Sequence, residues 1–214
     1  MISNHRSFLD APLLMAAALL RFLSQTLAIN LIGGLALAVD VYALALLLGL
    51  DRRPKPVSPM WLSALFLFSL PVEAVLERMV GYPLQLASAE LSCGIIGAVY
   101  EGTLCEGVRI TVQGVDVLVD LPCSGATGLL LLLAFFTGLN SVLRPRLHVA
   151  FLWGVATLGF ALIGNSVRIA LLAGGLVNGI DVMAEPLHSL IGLVTLVLSA
   201  LPLVLFYRPH PVSR

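Results

Sequence analysis

The sequence predicts an all-α polytopic membrane protein with six to seven transmembrane helices and a short extended segment on the outer face. Three observations carry this. Hydrophobic residues make up 59% of the 214 residues and charged residues only 11%. An ordinary soluble domain carries roughly a quarter charged residues, so a soluble monomer of this composition could not cover its apolar surface. The apolar runs are close to the about 20 residues that a helix needs to cross a bilayer. Charged or proline-containing gaps divide them. The same composition excludes disorder, which accompanies few apolar residues. A net charge of zero gives no basis for nucleic-acid binding. The first apolar stretch lacks the basic flank and small-residue cleavage site of a signal peptide, and no internal repeat stands out.

The elements follow in chain order. Span one covers about 8–27 and contains Arg21. Span two covers about 28–50, with Asp40 near its middle. The gap DRRPKPVSP at 51–59 is a stiff basic loop whose prolines no helix crosses. Span three, about 60–80, carries Pro71 and Glu73, and the proline is expected to kink its outer half. The stretch 83–100 is less apolar, with Gln85, Ser88, Glu90 and Ser92 among small residues. It reads as an interfacial or re-entrant piece, with a seventh span as the alternative.

From Gly107 to Asp120 apolar and polar residues alternate around Gly114. This predicts a short β-hairpin or extended segment outside the bilayer, because its backbone groups would lack partners in lipid. The motif Leu121-Pro122-Cys123-Ser124-Gly125 opens span four. Span five covers about 149–172, a polar connection runs from Gly174 to Pro186, and span six covers about 187–207.

Loop charges set the orientation. With the N-terminus inside and six spans, the inner segments hold Arg6, Arg52, Arg53, Lys55, Arg144, Arg146, Arg208 and Arg214. The outer segments hold Arg109 with Glu90, Glu101, Glu106, Asp116, Asp120, Asp181 and Glu185. This is the positive-inside pattern. A spanning 83–100 would break it by sending the basic loops to opposite sides.

In that topology Cys123, Arg168 and His188 fall at one depth, near the outer face. A helix N-terminus favours negative charge, which suits a thiolate nucleophile at Cys123. His188 offers a general acid and base, and Arg168 a cation for an oxyanion or a substrate carbonyl. Asn165 lies three residues before Arg168 on the same helical face and is expected, with Ser124, to support the site. Each residue also has a bland reading. A lone membrane cysteine is usually a small apolar filler, and a lone histidine is usually interfacial. An intramembrane arginine is a functional hypothesis by default, with pairing to Asp181 or Glu185 as its structural alternative. Asp40 and Glu73 carry the same expectation, with Arg21 and Arg78 as structural partners. The three cysteines leave at least one thiol free or paired outside the chain. A Cys93–Cys105 or a Cys105–Cys123 disulfide fits an oxidising exterior, and the second would silence the nucleophile. No Cys or His pair has metal-ligand spacing, so neither a metal nor a cofactor is expected.

Taken in order, PCSG at a helix start, GNSVRIALL and PLHSLIG resemble the exosortase/archaeosortase family, and the lead-in from Pro83 to the cysteine is similar too. The resemblance covers about 71–196. It implies a polytopic membrane cysteine protease or transpeptidase, an exosortase-like hydrolase acting at the outer face of the cytoplasmic (inner) membrane. Its substrates would be membrane-anchored proteins ending in a short motif, a hydrophobic helix and a basic cluster. By motif, Cys123 would be the nucleophile, Arg168 the oxyanion or substrate-orienting group and His188 the acid/base, through a thioester resolved by an amine or by water. One integral membrane domain, 1–214, is expected, with a catalytic core at about 71–207. Two departures stand out. Family members often have about eight spans, which points to a missing N-terminal helix or a misassigned start. Ala126-Thr127-Gly128 replaces an apolar residue and a frequent serine after PCSG, which bears on subfamily and substrate motif. Two other classes compete with this reading. One is a transporter or channel subunit with Asp40, Glu73 and Arg168 along a polar path, and the other is a structural membrane protein in which no single polar residue is essential.

Overall fold

A computed structural model describes residues 7–27, 30–68, 70, 73–120 and 123–208. The chain is mostly helical. Its helices are α1 (Ser7–Leu27), α2 (Asn30–Leu47), α3 (Pro59–Leu67), α4 (Glu73–Leu76), α5 (Tyr82–Gly97), α6 (Ala126–Leu143), α7 (Leu147–Val177) and α8 (Leu187–Phe206). A π-helical turn, Glu77–Gly81, joins α4 to α5, and a 3₁₀ turn, Leu50–Arg52, follows α2. Three short strands, β1 (Leu104–Glu106), β2 (Arg109–Val112) and β3 (Val115–Leu118), lie between α5 and α6.

Among the described residues, α6, α7 and α8 are long and apolar enough to cross a membrane, and 12–27 and 32–47 form shorter apolar helices. At about 1.5 Å per residue, the 31 residues of α7 outreach the roughly 30 Å hydrocarbon layer. Large apolar side chains of α7 and α8 stay exposed, as at Phe151, Leu152, Leu193 and Phe206, which is how a lipid-facing helix differs from a soluble one.

The expected third span is shorter than its apolar run. Helix α3 ends at Leu67, and Phe68 caps it. Pro71, which lies outside the described residues, has no N–H to offer the carbonyl of Leu67 and disfavours helix in the residue before it. The expected kink at Pro71 likewise lies outside the described residues.

The chain divides into two compact units, the first of residues 1–72, 136–150 and 209–214, the second of 73–135 and 151–208. In the first, α1 and α2 come close where a Cβ on Gly33 would stand 2.9 Å from Ser24 Oγ. Arg21 and Asp40 form an ion pair between the same helices. Ser63 Oγ donates to the Ala38 carbonyl at 2.5 Å and ties α3 to α2. The Ser58 N–H donates to the Ser141 carbonyl at 2.8 Å, and Trp61 meets Phe136 edge-on at 6.3 Å.

In the second unit the strands form an antiparallel meander in the order β1-β2-β3. Val112 pairs with Val115, and the two residues between them, Gln113 and Gly114, both have positive φ, 50° and 84°. That is the two-residue turn whose twist matches a hairpin. Ile110, Val112, Val117 and Val119 point to one side. They form a core with Ala89 and Ile96 of α5 and Ile169 and Ala173 of α7. The alternation in the sequence is therefore the period of a half-buried sheet. Cys93 of α5 and Cys105 of β1 are bridged by a disulfide, which leaves Cys123 as the free thiol. The stretch 83–100 is helical over most of its length and buries Gln85, Ser88 and Ser92 inward.

The two bridged cysteines are 12 residues apart in the chain. Breaking the bridge with Cys93→Ser should lower stability by about 2–4 kcal/mol, read as a lower unfolding midpoint of the full-length protein in detergent. Cys105→Ser should give the same shift. An unchanged midpoint in both would show that the bridge does not hold the sheet on α5.

Candidate active site

Cys123 sits between β3 and α6, three residues before the first helical residue, Ala126. The expected position at the helix N-terminus is thus corrected by part of a turn. Gly125 has φ +90° and forces a turn ahead of the helix. Leu121 and Pro122 lie outside the described residues. The Cys123 N–H donates to the Asp120 carbonyl at 2.9 Å. The Ala126 N–H donates to Ser124 Oγ at 3.3 Å, a serine turn that leads into α6. Ser124 is buried and Cys123 is half-buried.

Arg168 lies in the last third of α7, and His188 is the second residue of α8. Arg168 Nη2 and His188 Nε2 are 2.9 Å apart. A guanidinium has only donors, so Nε2 accepts, which puts the neutral ring's proton on Nδ1. Arg168 Nε and His188 Nδ1 are both buried and have no hydrogen-bond partner among the described residues. Neither expected acidic partner takes Arg168. Asp181 Oδ1 accepts from the Ala184 N–H at 3.2 Å, and Glu185 Oε1 accepts from Ser189 Oγ at 2.8 Å. The guanidinium lies over Gly192, one turn along α8, where a Cβ would stand 3.5 Å from its Nε.

Asn165, one turn before Arg168, reaches back to the cysteine. Its Nδ2 donates to the Cys123 carbonyl and to Ser88 Oγ, each at 3.0 Å. A cavity of about 250 Å³ lies along α6, α7 and α8. Gly125, Asn165 and Arg168 line it together with small residues such as Gly164, Gly192 and Ser199. Cys123 borders a separate narrow apolar recess with Val119, Ile169, Leu172 and Met183.

The structure thus brings Arg168 and His188 into direct contact and ties Asn165 to the cysteine's backbone. Among the described residues it does not join the Cys123 thiol to either Arg168 or His188. Asp40 is engaged by Arg21. Glu73 opens α4, and its side chain lies outside the described residues. Sequence reasoning missed the contacts that Ser88, Gln85 and Gly125 make around Cys123 and Asn165. Ser88 and Gln85 had a usable signal, because Gln85, Ser88 and Ser92 are spaced three and four apart in a stretch of small residues and so share one helical face.

The family model described as transmembrane exosortase matches residues 2–205 of the chain. No curated protein and no solved structure matches it.

A Cβ built on Gly125 would lie 2.7 Å from Asn165 Cγ, on a backbone that already disfavours side chains. Gly125→Ala should therefore destabilise the protein by about 2 kcal/mol or more. Gly128, on the same cavity, has open space where its Cβ would go. Gly128→Ala should leave stability unchanged or raise it by up to about 1 kcal/mol. Unfolding midpoints of the two variants in detergent check this contrast, and equal midpoints would contradict it.

Proposed function

The chain belongs to the transmembrane exosortase family, and we propose that it is a membrane cysteine protease or transpeptidase that cleaves C-terminal sorting signals of exported proteins through a Cys123 thioester. Its exosortase-type function in a multi-pass membrane protein comes with the family. The residue roles, the outward-facing site in the cytoplasmic membrane and the six or seven spans are the finer reading. The catalytic core of about 71–207 falls largely within the second compact unit. The observation that carries the residue roles is the Arg168–His188 hydrogen bond on the helix whose Asn165 holds the Cys123 carbonyl.

In this reading the Cys123 sulfur attacks the scissile carbonyl carbon, and the thiol proton passes to His188 Nε2. At rest Arg168 occupies that nitrogen. A substrate carbonyl that draws the guanidinium onto its oxygen frees the lone pair at the moment it is needed. The oxyanion that forms is negative and sits among fixed donors, the arrangement that stabilises acyl-transfer intermediates most. The Arg168 guanidinium, which lines the cavity, is the donor that meets the oxyanion there. The C–N bond then breaks, and the leaving amine takes its proton from His188. An acceptor amine or water attacks the thioester and loses its proton to His188, and as the C–S bond breaks the departing sulfur takes that proton from His188 to regenerate the thiol. The substrate's hydrophobic helix lies in the bilayer beside the enzyme, with its motif at the level of the three residues and its basic cluster on the inner side.

Cys123→Ala, Arg168→Ala and His188→Ala should each lower substrate processing by about 1,000-fold or more, with normal membrane insertion of each variant. Processing is read as the mobility shift of a membrane-anchored substrate protein. Asp40→Asn removes one partner of a structural ion pair and should leave processing within about threefold of wild type. Full processing by Cys123→Ala would sink the reading, and loss of function in Asp40→Asn alone would favour a polar transport path.

A further inference from the structure

We propose that Asn165 is the positioning residue of the cysteine loop. It acts with Ser88 and Gln85 of α5 and requires glycine at 125. The proposal rests on the cysteine reading above and adds how the nucleophile is held. Irregular backbone at the end of apolar helices needs a partner for every carbonyl. Around Cys123 four of the described carbonyls have such partners. The Val119 carbonyl accepts from Gln85 Nε2, the Asp120 carbonyl from the Cys123 N–H, the Cys123 carbonyl from Asn165 Nδ2 and the Ser124 carbonyl from Ser88 Oγ at 3.4 Å.

Three of those four donors are side chains of α5 or α7. Asn165 commits both amide hydrogens to the join, one to the Cys123 carbonyl and one to Ser88 Oγ. Ser88 is fully buried and Gln85 nearly so. Ser92, on the same face, has its hydroxyl 2.5 Å from the Ser88 carbonyl and 3.0 Å from the Ser166 carbonyl, which brings α5 close to α7. The Asn165 side chain stands where any side chain on residue 125 would go, so the amide in this position requires glycine at 125. The outcome is a cysteine whose backbone is set by the helix that carries Arg168. Misplacing a reacting group by about 1 Å can cost about 100-fold in rate. The loop's anchor therefore affects turnover without touching the substrate.

Asn165→Asp tests this, because it keeps the shape, removes both donors and sets a carboxylate oxygen against the Cys123 carbonyl. The assay uses the full-length protein in liposomes with a membrane-anchored substrate protein. Asn165→Asp should lower kcat by about 10- to 100-fold and leave KM near wild type, with a lower unfolding midpoint because the Cys123 carbonyl loses its donor. Ser88→Ala should give a smaller fall in kcat, and the double variant should fall less than the two losses combined. With the Cys93–Cys105 bridge intact, a maleimide reads Cys123 alone. Its alkylation in Asn165→Asp should run roughly tenfold faster, as expected of a loop released from its anchor. Wild-type kcat and wild-type alkylation in Asn165→Asp would overturn the proposal while Cys123→Ala stays inactive. A raised KM at unchanged kcat would also overturn it, by making Asn165 a substrate contact. If Cys123→Ala processes normally, the cysteine reading falls, and the alkylation rate still decides whether Asn165 holds the loop. Should Asn165→Asp fail to fold, Ser88→Ala carries the same two measurements.

Discussion

Between β3 and α6 the chain leaves regular structure beside long apolar helices, and its carbonyls there have no ladder to join. In water such groups would be solvated. In a protein of this composition the donors have to come from within. Much of the second unit answers that requirement. Helix α5 turns Gln85, Ser88 and Ser92 inward, although each is costly to bury unless hydrogen-bonded. The sheet packs Ile110, Val112, Val117 and Val119 against α5 and α7, which delivers the chain to the place where those side chains wait. The Cys93–Cys105 bridge fastens the sheet's first strand to the same helix.

The second constraint is the Arg168 guanidinium. A cation on an apolar helix is costly unless it is paired or near water, and among the described residues no carboxylate pairs with it. His188 takes one of its hydrogens, Gly192 leaves room for its plane, and Arg168 lines the cavity. The Arg21–Asp40 pair, by contrast, answers charge with charge. Arg168 Nε and His188 Nδ1 are buried without partners among the described residues, which sets them apart from that ion pair and supports the proposed role of the two residues.

Much of this is legible in the sequence, for identifiable reasons. The spans at α6, α7 and α8 stand out because lipid-facing helices are apolar on all sides. The hairpin stands out because its alternation has period two, and it falls where expected. Asp40 reads as a functional candidate with Arg21 or Arg78 as its structural alternative, and the structure pairs it with Arg21. Other features are not legible. The break after α3 hides in an apolar run, since hydropathy does not register a missing N–H. Between the two candidate disulfides the sequence cannot choose, because pairing depends on where β1 lies on α5. The role of 83–100 stays open in the sequence because its polar residues are matched to carbonyls far along the chain, at Val119, Ser124 and Ser166. The contact between Arg168 and His188 is expected only as a shared depth, and Asn165 only as a neighbour on the helix face. The reach of Asn165 to the Cys123 backbone depends on the φ of Gly125, which composition does not reveal.

The central claim is that the Cys123 sulfur carries the acyl group during turnover. The most direct measurement is intact-protein and peptide mass spectrometry of the enzyme, quenched in acid while it processes a membrane-anchored substrate in liposomes. The account predicts an adduct with the mass of the acyl fragment on the peptide containing Cys123. Hydroxylamine should release it, and Cys123→Ser should lack the hydroxylamine-labile thioester. Steady processing with no adduct at Cys123, or with the acyl group on another residue, would contradict it.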